Sequence, residues 1–275
     1  MCHHRFAFCA STGRTATMFL AETLNTLPGV IGLHEGHSRS DPPVPRLPLI
    51  NLHNRRAWHD PAYADRTVGD MRGAATLAKA SGDAKLLVDV AFYNAPLLLP
   101  LGRRYPDAAL FVLFRRCEWF VRSATIVAGE DRQPAGWPER TKRLTDRERF
   151  ISLGRLKPEA GSDDAERWPE WSAIQRNIWL WHSVNAHLLR FSESHASCHV
   201  LLYEDLVEDP RKFWTHFLRG LDLHSESNLA RCVERSRKKI NQRPSYQVGP
   251  ADTWREAEFA LYERLARPLE SRIYA

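Results

Sequence analysis

The chain has 275 residues, 43% of them hydrophobic and 26% charged, a composition that fits a globular α/β protein with a sizeable core. No apolar stretch reaches the length of a membrane span, and the N-terminus carries no basic-then-apolar secretory pattern, so a cytoplasmic protein without a membrane partner is expected. The net charge of +6 and pI of 9.2 suit a pocket for a small polyanion, a nucleic-acid surface or an arginine-rich exterior. No zinc finger, basic zipper or RNP pattern is present, which ranks nucleic acid last.

Arg5–Ala10 is a short apolar run followed by small polar residues and reads as a buried strand. Thr15–Leu27 carries Met18, Phe19, Leu20, Leu24 and Leu27 at helical spacing and stops at Pro28-Gly29. Gly36–Pro48 is proline-rich and reads as a surface loop. Leu86–Val90 and Ala108–Phe114 are strand candidates, each followed by a helical pattern, at Asn94–Arg104 and from Glu118 to about Ala128. Gly129–Asp164 is polar and irregular. Trp171–Phe191 is a long helix, His199–Tyr203 a strand, Pro210–Gly220 a helix, and Thr253–Ser271 a terminal helix. Arg231–Asp252 is basic and polar. Strands alternating with helices predict a parallel sheet covered on both faces, within a single domain. The five cysteines are scattered and odd in number, which predicts free thiols in a reducing compartment. Cys2, His3, His4 and Cys9 match no zinc spacing, so no metal is expected.

The turn STGRTAT, between the first strand and the first helix, is the arrangement that binds oxyanions. A helix N-terminus leaves unpaired N–H groups and its dipole favours negative charge. Gly13 allows close backbone approach, Thr15 and Thr17 add hydroxyls, and Arg14 adds a guanidinium fork. An ordinary helix capped by Ser11, Thr12 or Thr15 would have the same pattern. The turn lacks the Gly-Lys-Ser/Thr ending of a Walker A loop, which disfavours a nucleotide kinase or triphosphatase.

TGRTATMFL resembles the 5′-phosphosulfate loop of sulfotransferases, which transfer a sulfuryl group from 3′-phosphoadenosine 5′-phosphosulfate (PAPS), without a metal, to a hydroxyl or amine and release 3′-phosphoadenosine 5′-phosphate (PAP). The resemblance continues in YPDA before the third strand, in Arg115 with Ser123 eight positions later, and in VLLYEDL followed by Asp-Pro. It implies a three-layer α/β sandwich with a central parallel sheet and nucleotide-kinase-like P-loop topology. It further implies that Gly13, Arg14, Thr15, Ala16, Thr17 and Met18 hold the 5′ end of the cofactor, and that Arg115 and Ser123 hold the 3′-phosphate. Lys239 and Arg243 would close over that phosphate from a basic loop. Glu35, 21 positions after Arg14 as in the protein-tyrosine members, is the implied general base, with His34 as the alternative. Glu204 and Asp205 are read as structural, and Trp179 and Trp181 as core.

Three positions depart from the family pattern. Ala16 stands where glycine is usual, Arg-Arg-Cys replaces Arg-Asp-Pro after the third strand, and Val90 falls where many members carry a lysine that supports the transition state. The last departure keeps open a degenerate member that binds nucleotide without transferring anything. The acceptor is expected to be a small molecule, glycan or peptide, with residues 36–60 and 129–168 as candidate lids over it.

Overall fold

The computed structural model describes residues 4–38, 44–125, 127–128, 133–134, 155–237 and 248–275. In chain order the elements are β1 (Arg5–Ser11), α1 (Thr17–Leu24), β2 (Val30–His34), β3 (His37–Ser38), β4 (Val44–Pro45), α2 (Asn51–His59), α3 (Pro61–Met71), α4 (Ala74–Ser81) and β5 (Leu86–Ala91). A 3₁₀ turn (Phe92–Leu97) leads into α5 (Leu98–Arg104), β6 (Ala109–Phe114) and α6 (Cys117–Ala124). Then come the paired dipeptides β7 (Val127–Ala128) and β8 (Gln133–Pro134), α7 (Asp163–Arg167), α8 (Ala173–Ser194) and β9 (Cys198–Leu202). The chain closes with α9 (Tyr203–Glu208), α10 (Pro210–Gly220), α11 (Glu226–Ser236) and α12 (Glu256–Ile273).

Among the described residues, seven strands form one sheet in the order β4-β3-β2-β5-β1-β6-β9. The five from β2 to β9 are parallel, and β3 and β4 add an antiparallel edge. Period-2 alternation divides the core. Ala7, Cys9, Val88, Val90, Phe111 and Leu113 meet α1, α10 and α11 on one face. Phe8, Ala10, Leu87, Ala91, Val112 and Phe114 meet α5, α6, α8 and α12 on the other. Each fully buried Leu or Phe contributes about 1.5–3 kcal/mol, and burial on both faces is why these strands read as continuous apolar runs. No helix among the described residues is long and apolar enough to cross a membrane.

From β1 the chain crosses to β2, beyond the place β5 later takes, and from β5 it passes to β6 on the other side of β1. The connections diverge at the carboxyl end of β1, and open parallel sheets bind ligands at such a point.

β2 escapes the sequence pattern because Gly32 interrupts its apolar run. A Cβ at Gly32 would lie 2.3 Å from the backbone oxygen of Ala21, so α1 packs directly on the strand there. Asn25 completes the contact: its Nδ2 donates to Gly32 O (2.8 Å) and its Oδ1 accepts from Gly32 N (3.0 Å), satisfying the strand's outward groups. Gly32→Ala is expected to cost ~2 kcal/mol in urea unfolding, because backbone rather than a flexible side chain must move. Within the segment 36–60, read as loop-rich, the nine residues Asn51–His59 are helix α2. That helix turns Asn51, Asn54 and Ala57 inward and so shows no apolar stripe. The next helix had a legible start, since Asp60 accepts from Tyr63 N at 2.9 Å with Pro61 at the first helical position. Likewise α11 occupies the start of the basic stretch that begins at Arg231. Cys9, Cys117, Cys198 and Cys232 are free thiols.

Candidate functional site

The STGRTAT turn leaves β1 at the switch point. Gly13, Arg14 and Ala16 all take positive φ (77°, 57° and 60°). For Arg14 and Ala16 that conformation costs roughly 1–2 kcal/mol each relative to glycine, so Ala16 occupies the backbone state for which glycine is usual. None of the predicted hydroxyl caps closes α1: its N-cap is Ala16, which offers no side-chain bond. Ser11 Oγ instead accepts from Gly13 N (3.0 Å) and from Thr15 Oγ1 (2.9 Å), so the Thr15 hydroxyl points inward. Thr17, the first helical residue, is buried, and Met18 follows it.

β6 delivers Arg115 to the same place. Its guanidinium donates to Arg14 O and lies 4.2 Å over the Tyr203 ring. Its Nε is buried and has no hydrogen-bond partner among the described residues. The backbone around it is held from three sides. Trp181 Nε1 donates to Arg115 O (2.7 Å), Glu204 Oε1 accepts from Arg116 N (2.9 Å), and Glu270 Oε1 accepts from Cys117 N (2.7 Å). Both carboxylates sit at the start of α6, where the helix dipole favours them. Glu204, fixed also by Tyr274 OH at 2.8 Å, is structural as expected. Trp181 combines core packing with a bond to the site. One helix on, Ser123 Oγ accepts from Arg14 Nε at 3.2 Å. Arg14, Arg115 and Ser123, 101 and 109 positions apart along the chain from Arg14, thus form one linked group. Lys239 and Arg243 lie outside the described residues.

His34 ends β2, and Glu35 begins the turn that follows, at φ 52°. Backbone held in this region is strained and clusters at functional sites. His34 Nε2 is 3.9 Å from Glu35 Oε1. Burial, with added repulsion from His37 and Arg14, lowers His34 to about 4. Burial, reinforced by the Asp89 carboxylate and opposed by Arg14, raises Glu35 to about 7. A value of about 4 leaves His34 neutral at neutral pH, whereas Glu35, at about 7, lies near its midpoint there.

Behind Glu35 lies an ion pair absent from the sequence reading. Arg72 Nε meets Asp89 Oδ2 at 3.3 Å, with both side chains fully buried. Arg72 also donates to Tyr93 OH (3.3 Å), Pro48 O (2.8 Å) and Met71 O (2.9 Å). Desolvation raises the Asp89 carboxyl and Arg72 opposes that. The turn after Glu35 rests on this cluster, since a Cβ at Gly36 would meet Tyr93 OH at 3.5 Å. A second omission is Arg155, whose Nη1 donates to Asn177 Oδ1 at 3.3 Å. An arginine in an irregular polar stretch carries no pattern that would single it out. Val90 is fully buried among the apolar residues on the α1 side of the sheet.

No protein-family model and no curated protein sequence matches this chain. Among solved structures it is similar to the sulfotransferase domain from the curacin biosynthetic pathway, with a TM-score of 0.50 and 12% identity over 98% of this chain and 96% of that one. It is also similar to sulfotransferase STF9 from Mycobacterium avium, with a TM-score of 0.54 and 12% identity over 98% of this chain and 76% of the other. The fold is that of the sulfotransferases, a mostly parallel sheet flanked by helices.

Proposed function

We propose that the chain is a PAPS-dependent sulfotransferase that moves a sulfuryl group to a hydroxyl or amine, with Glu35 as general base. The observation that carries the reading is the convergence of Arg14, Arg115 and Ser123 on the uncapped start of α1, at the switch point of the sheet. The residues fit the cofactor's two oxyanionic ends. The N-terminal first turn of α1, which has no side-chain cap, and the Arg14 fork suit a 5′-phosphosulfate. The buried Arg115 Nε, a donor with no partner among the described residues, suits a 3′-phosphate beside Ser123. Lys239 and Arg243 are proposed to complete that end.

The donor, when bound, supplies an activated sulfuryl group. This chain's residues then have to position the acceptor, exclude water and handle one proton and one developing charge. Glu35, raised to about 7, takes the acceptor proton. Arg14 and the first-turn N–H groups offset charge on the leaving phosphate oxygen. No metal is needed, and no group of metal-binding side chains occurs among the described residues. Residues 36–60 and 129–168 are proposed to border an acceptor that is a small molecule, glycan or peptide, in a cytoplasmic setting. Val90 favours a second reading, a member that binds nucleotide without transfer.

Calorimetric titration with PAP tests the cofactor assignment. Binding is expected, with Arg115→Ala weakening it by ~10-fold or more, the loss of a charge-assisted hydrogen bond. Undiminished affinity in that variant would refute the 3′-phosphate assignment. Turnover of PAPS against an acceptor panel separates the enzyme from the binder.

A further inference from the structure

We propose, resting on the sulfotransferase reading, that Arg72 is a positioning residue for the general base: through Tyr93 and residues 46–48 it holds the turn of Glu35 and Gly36, and so fixes where the Glu35 carboxyl stands. His34 and His37 face each other as antiparallel partners, so Glu35 and Gly36 are the two residues of a hairpin turn. Both have positive φ, 52° and 75°, the pattern of a type I′ turn. Gly36 accepts that conformation freely, whereas Glu35 is strained in it. A non-glycine residue stays in such a state only where its surroundings over-determine the backbone.

Those surroundings converge on Arg72. Gly36 O accepts from Arg46 N (2.9 Å) and Leu47 N (3.1 Å). A Cβ on Gly36 would lie 3.0 Å from Leu47 O and 3.5 Å from Tyr93 OH, so the turn is wedged between residues 46–48 and the phenol. Arg72 joins these two walls: its Nη1 donates to Pro48 O (2.8 Å) and its Nη2 to Tyr93 OH (3.3 Å). Its Nε donates to Asp89 Oδ2 (3.3 Å), and Asp89 lies on β5 in register with Leu33 of β2, the strand that leads into the turn. The backbone of Arg72 is held as well, since Tyr105 OH donates to Arg72 O (2.5 Å). Arg72, Asp89 and Tyr93 are all fully buried. A rigid, forked guanidinium can serve Pro48, Tyr93 and Asp89 together, which a lysine's single nitrogen cannot.

The charged and titratable groups facing Glu35 are Arg14 from the loop after β1, Asp89 from β5, Tyr93 beyond it, and the imidazoles of His34 and His37 on the two arms of the hairpin. Neither Arg72→Lys nor Tyr93→Phe removes a charge from this set. The first keeps the cation beside Asp89, and burial keeps the Tyr93 phenol protonated. A change at Glu35 in either variant therefore reports movement of its carboxyl and not a missing charge.

The test needs no acceptor. The Glu35 carboxyl is titrated by carbon-13 NMR in the wild type, Arg72→Lys and Tyr93→Phe, its signal assigned by loss in Glu35→Gln. PAP affinity is measured by calorimetry and folding by thermal melts. A loosened turn lets water reach the carboxyl, so its midpoint should drop by about 1 or more, from about 7 toward the ordinary 4.5. PAP affinity should stay within about 2-fold, because Arg115 and Ser123 lie beyond β1 on the far side of the sheet from the turn. Tyr93→Phe carries the test if Arg72→Lys does not fold. An unchanged midpoint alongside a lowered melting temperature would make Arg72 a support of the fold alone and overturn the proposal. A loss of PAP affinity as large as in Arg115→Ala would also overturn it, since Arg72 would then act on the whole site, and the sulfotransferase reading would stand in both cases. A wild type that binds no PAP would overturn that reading and the base role with it.

Discussion

Replacing Glu35 with Gln is expected to lower turnover of the sulfuryl donor by at least ~100-fold, the usual worth of a positioned general base. The wild-type pH profile carries the companion result. Glu35 must be ionised to take a proton, so kcat/KM should rise with pH through about 7 and then level. A base at His34 would place that rise near 4 instead, so the profile alone distinguishes the neighbours. Stability should move the opposite way. The folded-state value lies above the ordinary 4.5, so the native protein keeps a proton that the unfolded chain has lost. The Glu35 contribution to stability should therefore fall as pH rises from about 4.5 to 7, and Glu35→Gln should make the wild-type slope in that window shallower. Urea unfolding across this window checks the sign. The cause is visible in the structure: the side chain is 20% exposed and lies near a second carboxylate.

Arg72→Met should be the most destabilising single change described, at about 3–5 kcal/mol, because it leaves Asp89 as a lone buried charge. Asp89 and Arg72 are both fully buried and 3.3 Å apart. The loss should depend on pH. Without its partner, the Asp89 carboxyl holds a proton in the folded state at pH values where the unfolded chain has released it. Asp89 is already raised above 3.8 in the wild type, so the deficit should widen only as pH passes that raised wild-type value toward the still higher one of the variant. The double variant Arg72→Met with Asp89→Leu should recover much of the loss, since an apolar pair of similar volume avoids the desolvation penalty. A double-mutant cycle by chemical denaturation measures the coupling, and strict additivity would refute it. The pair also bears on the site, because the Asp89 charge is one of the forces raising Glu35.

Sulfotransferase turnover, should it be found, would rest on features of unequal visibility. The anion turn was readable because a small-residue break between a buried strand and a helix is a local pattern, and Arg115 with Ser123 could be found by spacing along one strand and helix. Glu35 was reached through its distance from Arg14, not through β2, whose apolar run is broken at Gly32 by the close approach of α1. The helix of residues 51–59 was missed because buried asparagines replace an apolar stripe.

The amino-acid order by itself determined the alternation of strands and helices, the two-faced burial of the central strands and the place of the STGRTAT turn between β1 and α1, because each depends on neighbours within about one helical turn or one strand. Only the tertiary structure decided that α1 has no side-chain cap, that Arg72 pairs with Asp89, 17 positions away, and that Arg155 is bonded to Asn177. Charge placement of this kind depends on burial and on partners distant in the chain, and a residue's type does not reveal which counter-charge or which dielectric it will meet.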